Sequence, residues 1–537
     1  MISRKSSELK SSSRYPLRDT TPRSPRKRAA ILSAACASIF VAIVSCWSMS
    51  SGVGISADSL VYLGAADSIA TGKGAITISS HYTPLTPAGA PLTIFPPAYP
   101  ALVAAVIKLG LPAASGAKWF HVLMMAATVF LLGIFTCLAT EGSVTATLSS
   151  ILLFGTSADI WNIYTMAWSE SPFIVFCLSA FVLLLMHVAK PNYFLLIGAS
   201  LSAGLALMTR YLGVTIIPSM ILAVLFLSGG RLRDRIKDSL LLIAVSGCLM
   251  AAWLIRNILL ANSATDRSLA FHLPGKSDIG MLINSLLVFW MPWSAPFRLR
   301  AILLALAGGL VIVFAGLAIK KSKPHWQTAA PLITMAFAAV YVLFLLTYNT
   351  FVSPAAELDV RELAPFYVFV NVLAVIAVYQ VAKSVSSKLL WRSFCTMLLV
   401  FASANASRAL PYIIQRHQNG SGYASRQWAD SATIDFLKRS AGQRTIYSNG
   451  VDVIAFLSGK EAVRLPAKID PVSWQINRDF DRQMATLNND VMQNRAVIVL
   501  FDRITWRYYL PRPEELGDTY KMPLMLRLDD GAVYGLP

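Results

Sequence analysis

The stretch ISADSLVYLGAADSIATGKG, residues 55–74, places an acid directly after an apolar run. Asp58 stands near the head of a helix-like segment that breaks at Gly72 and Gly74. A carboxylate there can cap the helix by accepting a hydrogen bond from a backbone N–H group. It can also take up a proton as the general base of an active site. Asp58 alone does not decide between these two interpretations.

Further ionisable residues lie where apolar runs begin or end, and charge in such places is costly unless it faces a cavity or a partner. The carboxylates can serve as bases, and arginines bind phosphate oxygens through their planar guanidinium groups. Each also has a structural interpretation, because Glu170 can cap a helix and Arg210 and Arg256 can reach toward lipid headgroups. The residues are Asp159, Glu170, Arg210, Arg256, Arg361 and Glu362.

The composition indicates the elements that must position these groups. Of the 537 residues, 55% are apolar and only 14% are charged, and the mean hydropathy is +0.57. A soluble domain carries about 25% charged residues. Apolar runs near the ~20 residues that cross a bilayer as a helix recur along the chain. We therefore predict an α-helical polytopic membrane protein.

Reading the apolar runs against helix breakers predicts about eleven membrane-spanning helices. A shorter apolar run at 96–110 suits a helix in the membrane interface. The first outer loop, residues 50–115, is long, and loops of that length usually carry a function. The predicted spans are 29–49, 116–139, 143–160, 169–188, 192–209, 211–228, 239–260, 299–319, 329–350, 363–382 and 389–406.

The net charge of +19 is concentrated in clusters that flank the spans. Residues 1–28 contain nine Lys and Arg against two acids, which predicts a disordered basic arm. Basic loops mark the cytoplasmic side, and those at 231–237, 320–325 and 383–392 all fall on the side of the arm. The N-terminus is therefore predicted in the cytoplasm and residues 407–537 outside. Because the basic residues flank spans, they do not indicate a nucleic-acid partner.

Residues 407–537 predict a small α/β domain in which helices and strands alternate. SATIDFLKR, VDVIAFLSG and FDRQMATLNNDVMQ are expected as helices, and RTIYSN and RAVIVLF as strands. No nucleophile elbow, phosphate loop or metal cluster is visible in this region. The six cysteines of the chain all lie in apolar runs and lack metal-ligand spacing.

Several short motifs occur in one order along about residues 30–405. They are Asp58, Tyr62-Leu63, Ala66 to Ile69, Gly72 to Gly74, FPPAYP at 95–100, WSES at 168–171, MTRYLG at 208–213, WLIRN at 253–257 and VRELAPFY at 360–367. This ordered set resembles that of the GT-C membrane glycosyltransferases, in particular the protein O-mannosyltransferases and the bacterial aminoarabinose-lipid A transferases.

The resemblance implies an integral enzyme of the bacterial plasma membrane that moves a hexose or pentose with inversion. The donor would be a polyprenyl phosphate-linked sugar, and the acceptor a hydroxyl of a glycan, lipid or protein at the outer face. The implied roles are Asp58 as general base, Arg256, Arg361 and Arg210 as donor-phosphate contacts, and Glu170, Asp159, Tyr62 and Tyr99 as cavity or acceptor residues. No metal ligand is assigned, although a divalent metal stays open because Asp58 could also bind one.

Two departures limit what the resemblance implies. Arg361 is followed by Glu362, where the family usually has Tyr, and the first outer loop lacks the adjacent acid-lysine pair of the aminoarabinose enzymes. Their specific donor is therefore not carried over. Two other classes stay open: a transporter or flippase of lipid-linked sugars, and a membrane assembly protein whose outer domain binds a partner.

Overall fold

The structure is a computed structural model that describes residues 24–76, 89–271, 273, 275–291, 294–321, 328–353, 358–439, 444–470 and 475–537. The predicted basic arm lies outside the described residues as far as Arg23. From Pro25 onward the chain is already helical, because Ser24 accepts a hydrogen bond from the backbone N–H of Lys27 and Pro25 occupies the first helical position.

The membrane region is built from helices that the apolar runs predict, plus one that they do not. The unpredicted helix, α11, lies in a part of the chain that we did not assign. The helices are α1 (Pro25–Ser48), α2 (Ala57–Ala70), α3 (Ala98–Lys108), α4 (Ala113–Ala139), α5 (Val144–Gly155), α6 (Ala158–Thr165), α7 (Glu170–Ala189), α8 (Tyr193–Thr209), α9 (Ile216–Leu227), α10 (Leu232–Ala261), α11 (Lys276–Trp290), α12 (Phe297–Lys321), α13 (Ala329–Phe351), α14 (Val360–Ser384) and α15 (Lys388–Asn419).

Eight of these helices are long and apolar enough to cross a membrane, among the residues that the structure describes: α1, α4, α7, α10, α12, α13, α14 and α15. Three of the predicted runs fall on shorter helices. The run at 143–160 covers α5 and part of α6, which meet at a bend of 69° and give a ninth span if counted together. The other two are α8 and the helical stretch Tyr211–Leu227. The described residues thus contain eight candidate spans, or nine with the bent pair, and eleven stays a prediction.

The helix ends show which termini share a side of the bundle. Lys383 Nζ lies 2.6 Å from Glu141 Oε2, which joins the end of α14 to the loop after α4. Gly142 in that loop packs directly on Lys27 at the start of α1. The start of α1 and the ends of α4 and α14 therefore lie together, as alternation of the eleven predicted spans requires.

The two most enclosed spans are α7 and α14, whereas α12 exposes most of its surface. Phe181 of α7 packs edge-on against Phe369 of α14 at a ring distance of 5.2 Å, and Phe337 of α13 contacts both rings. The unpredicted α11 joins this core because Phe289 stacks on Tyr367 at 4.3 Å. The first residues of α7 and α14 therefore sit at one end of a rigid centre.

The chain after α15 forms a five-stranded sheet. Its strands, in spatial order, are β4 (Val463–Arg464), β3 (Thr445–Ser448), β5 (Ala496–Phe501), β7 (Gly531–Tyr534) and β6 (Leu524–Leu528). The strands β4, β3 and β5 are parallel, and β5, β7 and β6 are antiparallel. The helices of this region are α16 (Arg426–Ala429), α17 (Ala432–Arg439), α18 (Val451–Ser458), α19 (Phe480–Met492) and α20 (Pro513–Asp518). The three helices and two strands predicted from sequence are present, whereas α16, α20, β4, β6 and β7 were not predicted. A separate antiparallel pair, β1 (Ser268–Leu269) and β2 (Val352–Ser353), lies earlier in the chain.

The turn between β6 and β7 is fastened to the start of α17 by a buried carboxylate. Asp530 accepts hydrogen bonds from the side chains of Ser431 and Thr433 and from the backbone N–H of Thr433. Burial alone would raise the pKa of Asp530, but these hydrogen bonds outweigh it and hold the pKa below its usual value. The carboxylate therefore supports the fold while it stays ionised.

Candidate active site

Asp58 lies in the first turn of α2, but it is not the residue that caps the helix. Ser56 accepts the hydrogen bond of the Ser59 backbone N–H at 3.4 Å, and the side chain of Ser59 accepts from the backbone of Ser56 at 3.0 Å. This reciprocal capping box satisfies the helix start without Asp58. Asp58 is nevertheless only 8% exposed. The structure therefore leaves its carboxylate to other contacts.

Those contacts are ion pairs with arginines from the far end of the sequence. Arg361 donates through Nη1 to Asp58 and through Nε to Glu170. Arg210 pairs with Glu170 through Nη1 and with Glu362 through Nη2, the latter at 2.5 Å. Acids and arginines thus alternate in one connected row. We call Asp58, Arg361, Glu170, Arg210 and Glu362 the carboxylate–arginine cluster.

Each residue of the carboxylate–arginine cluster lies at or near the end of a helix. Glu170 opens α7, and Arg361 and Glu362 lie in the first turn of α14, which Asp359 caps by accepting from the Glu362 backbone N–H at 2.9 Å. Arg210 sits at the break between α8 and the short 3₁₀ turn Tyr211–Thr215, where the backbone is extended. Because the two central helices begin here, the bundle itself fixes the cluster.

Aromatic and hydroxyl side chains surround the cluster. The guanidinium of Arg361 lies over the ring of Trp168 at 4.4 Å, which covers one face of the cation. The hydroxyl of Tyr62 is 3.1 Å from Ser169 Oγ, beside Glu170. Burial and the nearby charge of Asp58 raise the pKa of Tyr62, so its phenol stays neutral. Tyr62 can therefore donate a hydrogen bond but not act as a base near neutral pH.

Tyr99 extends this polar chain inward. Its ring lies edge-on to Tyr62 at 5.0 Å, and its hydroxyl is 2.8 Å from His121 Nε2. His121 Nδ1 in turn lies 3.1 Å from Ser171 Oγ in the first turn of α7. Tyr62 and Tyr99 are both buried, and they support the base of the cluster from α2 and α3. The structure thus brings Asp58, Tyr62, Tyr99, Glu170, Arg210 and Arg361 together.

Asp159 and Arg256, which the sequence placed in the same site, lie elsewhere. Asp159 is in the first turn of α6, and the charged group that acts on it is Arg408 of α15. Arg256 donates to the carbonyls of Leu92 and Ala75, each at 2.8 Å, and lies 4.7 Å from the ring of Trp253. It joins the chain at Ala75 to the chain at Leu92. Its role in phosphate binding stays a prediction.

Sequence reasoning missed one cation beside the cluster, Arg267. Its guanidinium lies 5.4 Å from the ring centre of Tyr211 and 5.3 Å from that of Tyr348. Among the described residues it forms no ion pair with an acid. Its Nη2 atom donates to the carbonyl of Ile94 at 3.4 Å, and its Nε atom is buried without a hydrogen-bond partner. Arg267 lies in a polar loop after α10 and not at the end of an apolar run, so no local sequence pattern indicated it.

The site offers arginines rather than metal ligands. Within the described ranges, no group of three or more His, Cys, Asp or Glu side chains is placed to hold a metal ion. The carboxylates of Asp58, Glu170 and Glu362 are instead directed at guanidinium groups. These residues do not fit a metal centre.

Solved structures share this architecture. ArnT from Cupriavidus metallidurans bound to undecaprenyl phosphate superimposes with a TM-score of 0.54 at 11% identity, covering 93% of this chain and 97% of that one. Its apo state gives a TM-score of 0.56 at 12% identity, covering 93% and 96%. The Archaeoglobus fulgidus oligosaccharyltransferase in complex with Zn and sulfate gives 0.55 at 12% identity, covering 88% of this chain and 68% of that one. The chain has the GT-C fold.

At this level of identity the similarity establishes the GT-C fold alone. No protein-family model matches the sequence, and no curated protein matches it in sequence. The resemblance drawn from the ordered motifs is therefore confirmed at the level of architecture. The substrates and the roles of individual residues rest on the geometry of this chain.

The cluster predicts a large cost for removing its central acid. Glu170→Gln leaves Arg210 and Arg361 without the carboxylate that they share, and breaking a buried ion pair costs about 3–5 kcal/mol. Glu141→Gln, in the exposed pair with Lys383, should cost about 0–1 kcal/mol. Thermal unfolding of the purified variants measures the difference. Equal melting temperatures for the two would show that the cluster does not support the fold.

Proposed function

We propose that this chain is an integral membrane glycosyltransferase that moves a sugar from a polyprenyl phosphate donor to an acceptor hydroxyl. The carboxylate–arginine cluster carries the proposal, because it joins an acid to phosphate-binding residue types at one end of a membrane bundle. The GT-C fold supports it, and so does the ArnT structure with undecaprenyl phosphate bound. The expected class is an inverting transferase of a hexose or pentose.

The reaction needs one base and fixed positive charge. The acceptor oxygen attacks the anomeric carbon, the bond from that carbon to the phosphate oxygen breaks, and polyprenyl phosphate leaves with the electron pair. Asp58 takes the proton of the attacking hydroxyl, a contribution worth about 10²–10⁴-fold. In the resting protein Asp58 pairs with Arg361, at the place where the acceptor hydroxyl would approach. One displacement inverts the anomeric configuration.

The charge of the cluster indicates that a further cation meets the phosphate. Three carboxylates and two guanidinium groups leave a formal charge of 2 − 3 = −1 within the cluster. Such a group does not by itself attract a phosphate. Arg267 carries positive charge without an acidic partner among the described residues, and Tyr211 and Tyr348 hold its guanidinium. We therefore assign the first contact with the donor phosphate to Arg267. The phosphate then contacts Arg361 and Arg210 as it approaches Asp58.

The role of Asp58 as base predicts the outcome of one conservative change. Because Ser56 provides the helix cap and Arg361 keeps its pair with Glu170, Asp58→Asn should lower the melting temperature less than Glu170→Gln does. It should leave binding of undecaprenyl phosphate nearly unchanged. Transfer should fall by about 10²–10⁴-fold, since an amide cannot take up the proton. The control is Asp67→Asn, an exposed acid on the same helix, which should keep normal turnover. Near-normal transfer by the Asp58 variant would move the base to another carboxylate.

The assignment of Arg267 predicts a defect in donor binding. Charge-assisted hydrogen bonds contribute about 1.5–3 kcal/mol, so Arg267→Ala should raise the donor KM by about tenfold or more. Arg267→Lys should be intermediate, because an ammonium group lacks the planar surface that stacks on tyrosine. The matched control is Arg298→Ala, an exposed residue at the start of α12. An unchanged donor KM in Arg267→Ala would remove it from the phosphate site.

We also propose that the cluster and the C-terminal sheet face the outside of the cell, with the N-terminus in the cytoplasm. The basic loops support this orientation, and the pair between Lys383 and Glu141 lies at the opposite end of the bundle from the cluster. The sheet would then be an extracytoplasmic domain of about residues 407–537, on a bundle of up to about eleven spans.

Cysteine labelling tests the orientation in a chain whose six native cysteines are replaced by serine. A membrane-impermeant maleimide should label Asp430→Cys in intact cells. It should label Gly229→Cys, in the loop after α9, only after the cells are permeabilised. Both positions are exposed, so access depends on the side of the membrane alone. The reverse pattern would place the sheet in the cytoplasm.

A further inference from the structure

The backbone just before Asp58 is held between two distant parts of the chain. On one side, Gly54 donates to the carbonyl of Thr165 at 2.8 Å, and Ala167 donates back to the carbonyl of Gly54 at 2.9 Å. On the other side, the Tyr423 backbone N–H donates to the carbonyl of Ile55 at 2.8 Å. Both contacts are parallel bridges. Residues 54–55 therefore lie as a middle strand between the chain that leads to Glu170 and the chain that leads to the C-terminal sheet.

Two glycines permit this close approach. A Cβ atom on Gly54 would lie 2.2 Å from the sulfur of Met166, and one on Gly422 would lie 2.0 Å from the carbonyl oxygen of Ile55. Gly422 also has a φ of +55°, which residues with a side chain rarely adopt. The contact between 54–55 and 422–423 is thus a built junction of fixed geometry. It ends three residues before Asp58.

Tyr423 extends the junction into the interior of the C-terminal sheet. Its hydroxyl donates to Asp452 Oδ2 at 2.5 Å, and Arg507 Nη2 donates to the same oxygen at 3.1 Å. Asp452 is fully buried, and Arg507 also donates to the carbonyl of Asn449. Burial and the neighbouring Asp452 raise the pKa of Tyr423, so the phenol keeps the proton that it donates.

The position of this contact in the sheet is unusual. Asp452 lies just past the carboxyl end of β3, which has β4 on one side and β5 on the other. In open parallel sheets the crevice at the carboxyl ends, where the strand order reverses, is the place where ligands bind. Here Tyr423, in the segment between α15 and α16, contacts Asp452 at the carboxyl end of β3. The sheet therefore holds the segment that precedes Asp58 rather than standing apart from it.

We propose that Tyr423 and Asp452 are positioning residues for Asp58, so that the C-terminal sheet sets the geometry of the active site through residues 54–56. The inference rests on the proposed function for its kinetic consequence but not for its structural one. Ser56 supports it, because its side chain accepts from Trp168 Nε1 at 2.7 Å beside the cluster. A shift of residues 54–56 would change the position of Asp58 relative to Glu170. Displacements near 1 Å can cost about 10²-fold in rate.

The test compares two tyrosine-to-phenylalanine changes in the same sheet region. Tyr423→Phe removes only the hydroxyl that reaches Asp452. We expect kcat to fall about 10–100-fold with the donor KM unchanged, and amide hydrogen exchange of residues 54–60 to become faster. The matched control is Tyr534→Phe, which removes a 3.2 Å hydrogen bond to the carbonyl of Pro513 in the same sheet. It should change neither kcat nor exchange at 54–60.

Each result is decisive. If both variants lower the melting temperature alike, kcat stays normal and exchange at 54–60 stays slow, Tyr423 is merely structural and the proposal is wrong. If Tyr423→Phe does not fold, Asp452→Asn takes its place, because asparagine keeps the size and one oxygen acceptor, and the same two readouts apply. If the unaltered protein shows no sugar transfer but Tyr423→Phe speeds exchange at 54–60, the positioning role stands and the proposed function fails.

Discussion

The site depends on one carboxylate shared by two arginines. Glu170 is almost fully buried at the start of α7, and it accepts from Arg210 on one side and from Arg361 on the other. An unpaired charge in such a place would be strongly destabilising. The break after α8 and the first turn of α14 must therefore both lie beside Glu170, because they carry the arginines that pair with it. Asp58 of α2 completes the row, because Arg361 donates to it through Nη1 while donating to Glu170 through Nε.

This arrangement explains how a membrane bundle can hold a base and cations side by side. In the resting protein each acid of the cluster is paired with at least one arginine, which offsets part of the cost of burying these charges. A phosphate that approaches can compete for Arg361, and an acceptor hydroxyl can approach Asp58. Tyr62, Tyr99 and Trp168 pack beside the cluster. In the proposed function, the contacts that stabilise the fold also supply the chemistry.

The sequence predicted much of this, for a physical reason. Charge is scarce in an apolar chain, so Asp58, Glu170 and Arg361 stand out at span ends. The criterion could not separate Glu170 from Asp159, because both lie near the start of a helix and differ in the direction they face. Rotation about a helix axis follows from packing with distant helices, which one sequence does not reveal.

Other features were beyond the reach of local patterns. Glu362 was noticed as a departure from the family, and only the structure shows that it pairs with Arg210. Arg267 lies in a polar loop, where a single arginine carries no signal. The junction of residues 54–55 with 422–423 joins parts of the chain that are far apart in sequence. The bend between α5 and α6 and the short α8 likewise made the span count depend on tertiary packing.

The central claim is that this chain breaks the bond between a sugar and a polyprenyl phosphate and gives the sugar to an acceptor. The direct measurement is mass spectrometry of the lipids after the purified protein, in nanodiscs, is incubated with a panel of polyprenyl phosphate-linked sugars and an extract of cell-envelope acceptors. The account predicts that one donor disappears, that free polyprenyl phosphate and a glycosylated acceptor form in equal amounts, and that the new linkage has inverted anomeric configuration. If every donor stays intact while the protein in sealed vesicles moves a lipid-linked sugar between leaflets, the chain is a transporter and the account is wrong.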